Sequence, residues 1–266
     1  MTIEAVVFDL DDTLLWDDRS VKESFEAVCQ YAADLRNVNP EQLEDEVRKA
    51  AFSLYATYET YPFTKNIGIN PLEGLWGNFH DDVHPMFAKL RDIAPGYRRD
   101  AWTQGLKAVG VDDSELGHEL AEKFHAERRT RPIVYEETYE VLDALKGQYK
   151  LVLLTNGSPD LQSEKLKGEP KLAPYFDHIV ISGGFGEGKP SPQLYSHVLG
   201  MAEIDPHAAV MVGDKLTTDI KGANSAGMPS VWINRHGRPL TDDAVPDYEI
   251  QNLRELFPIL DKLNGG

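Results

Sequence analysis

Apolar residues run almost unbroken from Ile3 to Phe8, with only Glu4 between them, and stop at Asp9, Asp11 and Asp12. A short continuous run of this kind predicts a strand buried on both faces. The period then changes. Phe25, Val28, Leu35, Leu43, Val47 and Leu54 recur at helical spacing over residues 20–58, and Asn37–Pro40 predicts a turn between two helices. Tyr61 to Pro71 is rich in Pro, Gly and Asn and reads as a loop, with helical pieces following through His125. Ser114 is the expected N-cap of a helix running to Arg129, with Glu115 in its first turn. No strand is expected between residues 16 and 132.

From Tyr135 onward the pattern alternates. Helices are expected at Glu136–Leu145, Leu161–Leu166, Pro192–Leu199, Asp219–Ala226 and Leu253–Leu263. Strands are expected at Leu151–Thr155, His178–Ser182, Ala208–Val212, Val231–Asn234 and Tyr248–Ile250. Alternation of this sort indicates parallel βαβ units with helices on both faces of the sheet. The first strand must join that sheet to bury its own faces. The expected fold is therefore α/β, a Rossmann-like doubly wound parallel sheet built from residues 1–15 and 133–266. An all-helical domain, residues 16–132, is inserted after the first strand.

Composition narrows the class without naming it. The chain has 266 residues, 41% hydrophobic and 27% charged, as expected for a soluble globular protein. No apolar run approaches a membrane span, and no basic-then-apolar leader begins the sequence. Net charge is −17, from 44 acidic against 27 basic residues, which argues against nucleic acid or an anionic membrane as partner. A small anionic substrate stays compatible where a metal and a few cations reverse the field locally. Cys29 is the only cysteine, so no internal disulfide forms, and a reducing cytoplasm is the expected setting.

The chemistry lies at strand ends. Asp9 and Asp11 point the same way if the extended backbone continues, and close carboxylates need a cation or a shared proton between them. A polar turn is the competing reading for such a pair. Thr155 and Asn156 follow a strand and offer donors to an anion. The glycines of residues 182–188 fit neither the Walker pattern nor the dinucleotide fingerprint, and Lys189 is the informative residue there. Asp214 follows the Ala208–Val212 strand, while Asp219 opens a helix, where simple capping is the alternative. Parallel strands place all of these on one edge of the sheet.

Asp9-x-Asp11-x-Thr13, Thr155, Lys189-Pro190 and Gly213-Asp214-x-x-x-x-Asp219 together resemble the four motifs of the haloacid dehalogenase-like hydrolase superfamily. The resemblance implies a Mg²⁺-dependent phosphatase. It makes Asp9 the nucleophile that forms an aspartyl-phosphate, and Asp11 the acid and base at the leaving oxygen. Asp9, the Asp11 backbone carbonyl and Asp214 would hold Mg²⁺. Thr155, Asn156 and Lys189 would bind phosphate, and Asp219 would orient Lys189 or metal-bound water. Asp11 argues for phosphoryl transfer over dehalogenation, because family members that cleave carbon–halogen bonds typically lack it.

The helical insertion resembles the family's helical cap, which covers the site of enzymes acting on small metabolites. Tyr58-Glu59-Thr60-Tyr61-Pro62, Gly68 through Phe79 and Ala126-Glu127-Arg128-Arg129 resemble a bacterial phosphoserine phosphatase subgroup, making phosphoserine the leading substrate. Nucleoside monophosphates and sugar phosphates stay open, as do a phosphomutase, a dehalogenase and a non-catalytic phosphate-binding or receiver-like module. Tyr58, Tyr61, Lys65, Arg128, Arg129 and Arg131 are candidate specificity residues, with solvated charges and partly buried aromatics as their competing reading. His80 and His84 have i, i+4 spacing, but no third ligand converges and the segment reads as a polar helix start. The expected assembly is a monomer or homodimer.

Overall fold

The structure of the protein, a computed structural model, describes residues 2–241 and 244–265. It falls into two compact units. An α/β unit comprises Met1–Trp16, Ile133–Asn156 and Glu169–Gly266; a helical unit comprises Asp17–Pro132 and Gly157–Gly168.

Among the described residues of the α/β unit six strands form one wholly parallel sheet. They are β1 (Ala5–Phe8), β2 (Lys150–Thr155), β3 (His178–Ile181), β4 (Ala209–Gly213), β5 (Ser230–Ile233) and β6 (Tyr248–Ile250), in the order β3-β2-β1-β4-β5-β6. All four residues of β1 are buried, as its apolar run requires. Ala5 and Val7 pack with Val152, Leu154 and Met211 against Leu194, Tyr195 and Val198 of the Pro192–Ala202 helix. Val6 and Phe8 alternate to the other face and are also fully buried. This is the expected doubly wound α/β sheet. Strand order reverses between β1 and β4, so the crevice at their carboxyl ends is where such sheets bind ligands. Asp9 and Asp214 are the residues at those two ends.

The helical unit contains α1 (Asp17–Arg36), α2 (Pro40–Tyr55), α3 (Tyr61–Ile67), α4 (Pro71–Gly74), α5 (Pro85–Ala108) and α6 (Ser114–Arg129). Their apolar faces meet around Phe25, Trp102 and Phe124, with ring centroids of Phe25 and Phe124 4.5 Å apart. The single cysteine, Cys29, is buried in this core, and burial pushes its thiol up to about 12.

Four local expectations are corrected. Tyr61–Pro71 is not a loop, because its Pro and Gly mark helix ends instead of breaking helices. Pro62 opens α3, Gly68 closes it in the left-handed region at φ 82°, and Asn70 with Glu73 forms a capping box on α4. The N-cap of α6 is Asp113, whose carboxylate accepts from Leu116 N, one residue before the expected Ser114. The segment around His80 is not helical; His84 caps α5 by accepting from Met86 N at 3.2 Å, and Asp160 accepts from His80 N. Finally, residues 157–168, which periodicity places in the α/β portion, gather into the helical unit. There Leu161 packs in its core, Asp81 accepts from Ser158 Oγ and Asp160 N, and Lys165 pairs with Glu73 at 3.2 Å. Among the described residues no helix is long and apolar enough to cross a membrane.

Candidate active site

β1 ends at Phe8, and the chain turns tightly at once. Leu14 N and Leu15 N both donate to Leu10 O, and Asp12 sits in the left-handed region at φ 59°. Asp9 is held at the head of this turn by its N–H to Val212 O at 3.0 Å, which ties it to β4. The residue is buried, and its carboxylate accepts from Lys189 Nζ at 2.5 Å. Thr13 Oγ1 reaches the other oxygen at 3.4 Å.

Lys189 is buried, and its ammonium meets three oxygens. Besides Asp9, Nζ donates to Leu154 O at 2.8 Å and lies 2.7 Å from Asp219 Oδ1. The solvated loop charge that competes as a reading for this lysine is thereby ruled out. Asn156 was a candidate anion donor, but its amide engages Lys189 itself. Lys189 N–H donates to Asn156 Oδ1 at 2.7 Å, and Asn156 Nδ2 donates to Lys189 O at 3.1 Å. Thr155, 1% exposed, ends β2 beside them.

Asp219 does not open a helix as expected. It lies inside a π-turn, Leu216–Ile220, that precedes the Lys221–Ala226 helix. The wide turn swings its carboxylate back under β4, where Oδ2 accepts from Lys215 N at 3.0 Å. This requires Gly213, since a Cβ there would lie 2.4 Å from Asp219 Cγ. Tyr195, which the sequence did not single out, supports the turn from below: its buried hydroxyl donates to Asp219 O at 3.0 Å and approaches Thr218 O at 3.3 Å.

Two cations were also missed. Lys215 follows Asp214 directly and is exposed. Arg238, on the loop after β5, donates to Asp214 O at 3.1 Å. Their only sequence signal was position: one adjoins a motif aspartate, and the other follows the fifth strand end.

Burial dominates the electrostatics. It raises Asp9, against which Lys189 pulls down, and it pushes Asp214 up to about 7. Burial also opposes the Lys189 ammonium, but Asp219 and Asp9 overcome it and hold the group above the ordinary lysine range. Although Lys215 keeps exposed surface, its ammonium loses water to the crowded cluster, and Asp214, foremost among the carboxylates, outweighs that loss and keeps it charged. Three buried aspartates crowd together here, and their mutual repulsion, only partly answered by the buried Lys189 ammonium, favours a cation among them. Carboxylate oxygens of Asp9, Asp214 and Asp219 lie within 4.8 Å of one another, and Asp214 Oδ1 is buried with no hydrogen-bond donor. An all-oxygen donor set with one uncommitted oxygen fits a hard cation.

The other candidates are engaged within the helical unit. Arg128 Nη1 donates to Ser20 Oγ and Nη2 pairs with Asp17 at 2.7 Å. Arg129 donates to Trp76 O and pairs with Glu164, and Arg131 pairs with Glu127 at 2.8 Å. Tyr58 packs edge-on against Tyr97 and Tyr61 against Tyr55, whereas Lys65 is exposed.

Residues 3–227 match the model of the haloacid dehalogenase-like hydrolase family. The chain is 36% identical over 258 residues to a phosphoserine phosphatase of Thermus thermophilus, covering 96% of this chain and 98% of that one. It is 33% identical over 185 residues to the N-acylneuraminate-9-phosphatase of Mus musculus, covering 68% of this chain and 73% of that one. Among solved structures, the HAD-hydrolase YfnB of Bacillus subtilis, bound to magnesium, superposes with a TM-score of 0.65 at 22% identity, over 98% of this chain and all of that one. The match spans every strand-end residue described above as far as the Lys221–Ala226 helix: this chain belongs to the haloacid dehalogenase-like hydrolases.

Proposed function

We propose that the protein is a phosphatase that hydrolyses a small phosphomonoester through an aspartyl-phosphate on Asp9, with O-phosphoserine as its leading substrate. One observation carries the reading: the Asp9 carboxylate, buried and 2.5 Å from Lys189 Nζ, sits in a cluster that also holds an uncommitted oxygen of Asp214. The identity to a phosphoserine phosphatase over almost the whole chain supports the substrate. Asp9, the Asp11 backbone carbonyl and Asp214 would hold Mg²⁺, which when bound neutralises phosphoryl oxygens that would otherwise repel a carboxylate.

In the first half-reaction the Asp9 carboxylate attacks phosphorus and forms an acyl phosphate. The bond from phosphorus to the leaving oxygen breaks, and that oxygen takes a proton from the Asp11 carboxyl. In the second, Asp11 as carboxylate accepts a proton from water, whose oxygen attacks phosphorus. The acyl phosphate bond breaks, releasing inorganic phosphate and restoring Asp9. Lys189 opposes the burial that would neutralise Asp9 and sets a positive charge against the transferring group. Thr155 donates to a phosphoryl oxygen, and Asp219 keeps Lys189 in place.

The test is phosphate release from O-phosphoserine, nucleoside monophosphates and sugar phosphates, each with Mg²⁺ and with EDTA. Metal-dependent release, greatest from O-phosphoserine and abolished by Asp9→Asn, is expected. Release that persists in Asp9→Asn overturns the nucleophile, and preference for a nucleotide or sugar overturns the substrate.

A further inference from the structure

The loop after β5 brings to the cluster a guanidinium that phosphoryl transfer does not use. Asn234, fully buried, closes the loop on itself: Arg238 N–H donates to Asn234 Oδ1 at 2.8 Å, and Asn234 Nδ2 donates to Arg238 O at 2.9 Å. The closed loop sets Arg238 beside Asp214, with Nη2 3.1 Å from its carbonyl oxygen and 3.7 Å from Oδ2.

Supporting that carbonyl does not account for the residue. Trp232 Nε1 already donates to the same oxygen at 2.8 Å. The Arg238 side chain is 51% exposed, and among the described residues its Nε and Nη1 have no partner. Lys215, one residue beyond Asp214, keeps exposed surface as well and adds a second positive charge. In a chain of net charge −17, two cations side by side at one strand end offset the acidic cluster where an anion would approach it.

We propose that Arg238, assisted by Lys215, is a specificity residue that binds a carboxylate on the leaving group, so that the favoured substrates are phosphomonoesters whose alcohol carries a second anionic group. The proposal rests on the phosphatase reading and narrows its substrate class. A guanidinium presents its free donors as a planar fork that matches a carboxylate, which an ammonium alone does not.

Binding and turnover test it separately. L-2-amino-4-phosphonobutanoate and 3-aminopropylphosphonate differ only in the carboxylate and cannot be hydrolysed at phosphorus. By calorimetry the intact protein with Mg²⁺ should bind the first about 10- to 100-fold more tightly, the range expected for a hydrogen-bonded charge. Arg238→Ala should erase most of that ratio, Arg238→Lys should restore part of it, and Lys215→Met should lower it less. Equal binding of the two phosphonates by the unmodified protein, or a ratio unchanged in Arg238→Ala, overturns the proposal.

In turnover, Arg238→Ala should lower the ratio of kcat/KM for O-phosphoserine over O-phosphoethanolamine by a similar factor, mainly through KM. Equal losses on both substrates would make Arg238 a prop for Asp214 and overturn its specificity role. Failure of the unmodified protein to release phosphate from any phosphomonoester overturns the phosphatase reading, while the phosphonate ratio still decides the carboxylate site.

Discussion

Asn156 grips Lys189 by the main chain from both sides, accepting from its N–H at 2.7 Å and donating to its carbonyl at 3.1 Å. The two residues lie 33 apart in sequence, Asn156 directly after β2 and Lys189 on the loop that leads from β3 to the Pro192–Ala202 helix. With its backbone fixed, the Lys189 side chain reaches Asp9, Asp219 and Leu154 O without searching rotamers. Asn156→Ala removes both bonds at a cost of about 1 kcal/mol each. It should leave the fold intact and lower kcat by about 10- to 100-fold, because the lost charge placement acts on the transition state. Steady-state kinetics beside a thermal melt checks this, and a kcat equal to that of the unmodified protein would remove Asn156 from the positioning of Lys189.

Gly213 is required by a close approach. A methyl group there would sit 2.4 Å from both Cγ and Oδ2 of Asp219, a side chain with no exposed surface and no room to retreat. Gly213→Ala should therefore destabilise the protein by about 1–3 kcal/mol, the usual cost of overpacking. It should also reduce activity beyond that loss, since Asp219 moves and Lys189 moves with it. A denaturant titration compared with kcat at a temperature where the variant is folded separates the two effects. Normal activity in the folded variant would show that Asp219 has freedom the structure does not suggest.

The sheet and the gathering of four residues along one of its edges were legible because a parallel βαβ pattern converts sequence order into position along that edge. Asp9 and Asp214 follow apolar runs, Thr155 ends one and Lys189 lies on the loop after another, and that order along the sheet brought them together. What could not be read was every contact made by the backbone or across a turn. Asn156 carries its amide to a main chain 33 residues away, and Asp219 depends on a π-turn that shares the periodicity of an ordinary helix start. Arg238 sits in a polar loop whose sequence differs little from a solvated one, and only the closure by Asn234 gives it a fixed place. In the helical unit Pro62 and Gly68 were read as breakers because composition does not reveal which end of a helix a residue serves.

Tyr195 carries the π-turn on one hydroxyl. Its ring is buried in the apolar layer beneath the sheet, and the hydroxyl serves the carbonyls of Asp219 and Thr218. Tyr195→Phe keeps the ring and removes the hydroxyl that donates to the buried Asp219 carbonyl, costing about 1–3 kcal/mol. If that cost falls on the turn, kcat drops while KM changes little, and metal affinity measured by titration weakens as the Asp214–Asp219 spacing relaxes. A variant that loses stability but keeps kcat and metal affinity would reduce Tyr195 to a core residue.

His125 gives the helical unit its own acid sensitivity. Partial burial disfavours the imidazolium, the charges of Arg98 and Arg129 disfavour it further, and together they lower the group to about 3 from its ordinary 6.5. The neutral ring is 2.9 Å from Asn78 Oδ1, a contact its Nε2–H can donate. Because the folded value lies below the unfolded one, the contribution of this group is complete above pH 6.5 and is lost as pH falls from 6.5 towards 3. His125→Gln keeps a donor for Asn78 and removes the titration. Melting temperature against pH should therefore fall less steeply between 6.5 and 3 in the variant, while the two proteins keep a constant difference above pH 7. Parallel curves across the acid range would mean that His125 takes up its proton in the folded state as readily as in the unfolded chain.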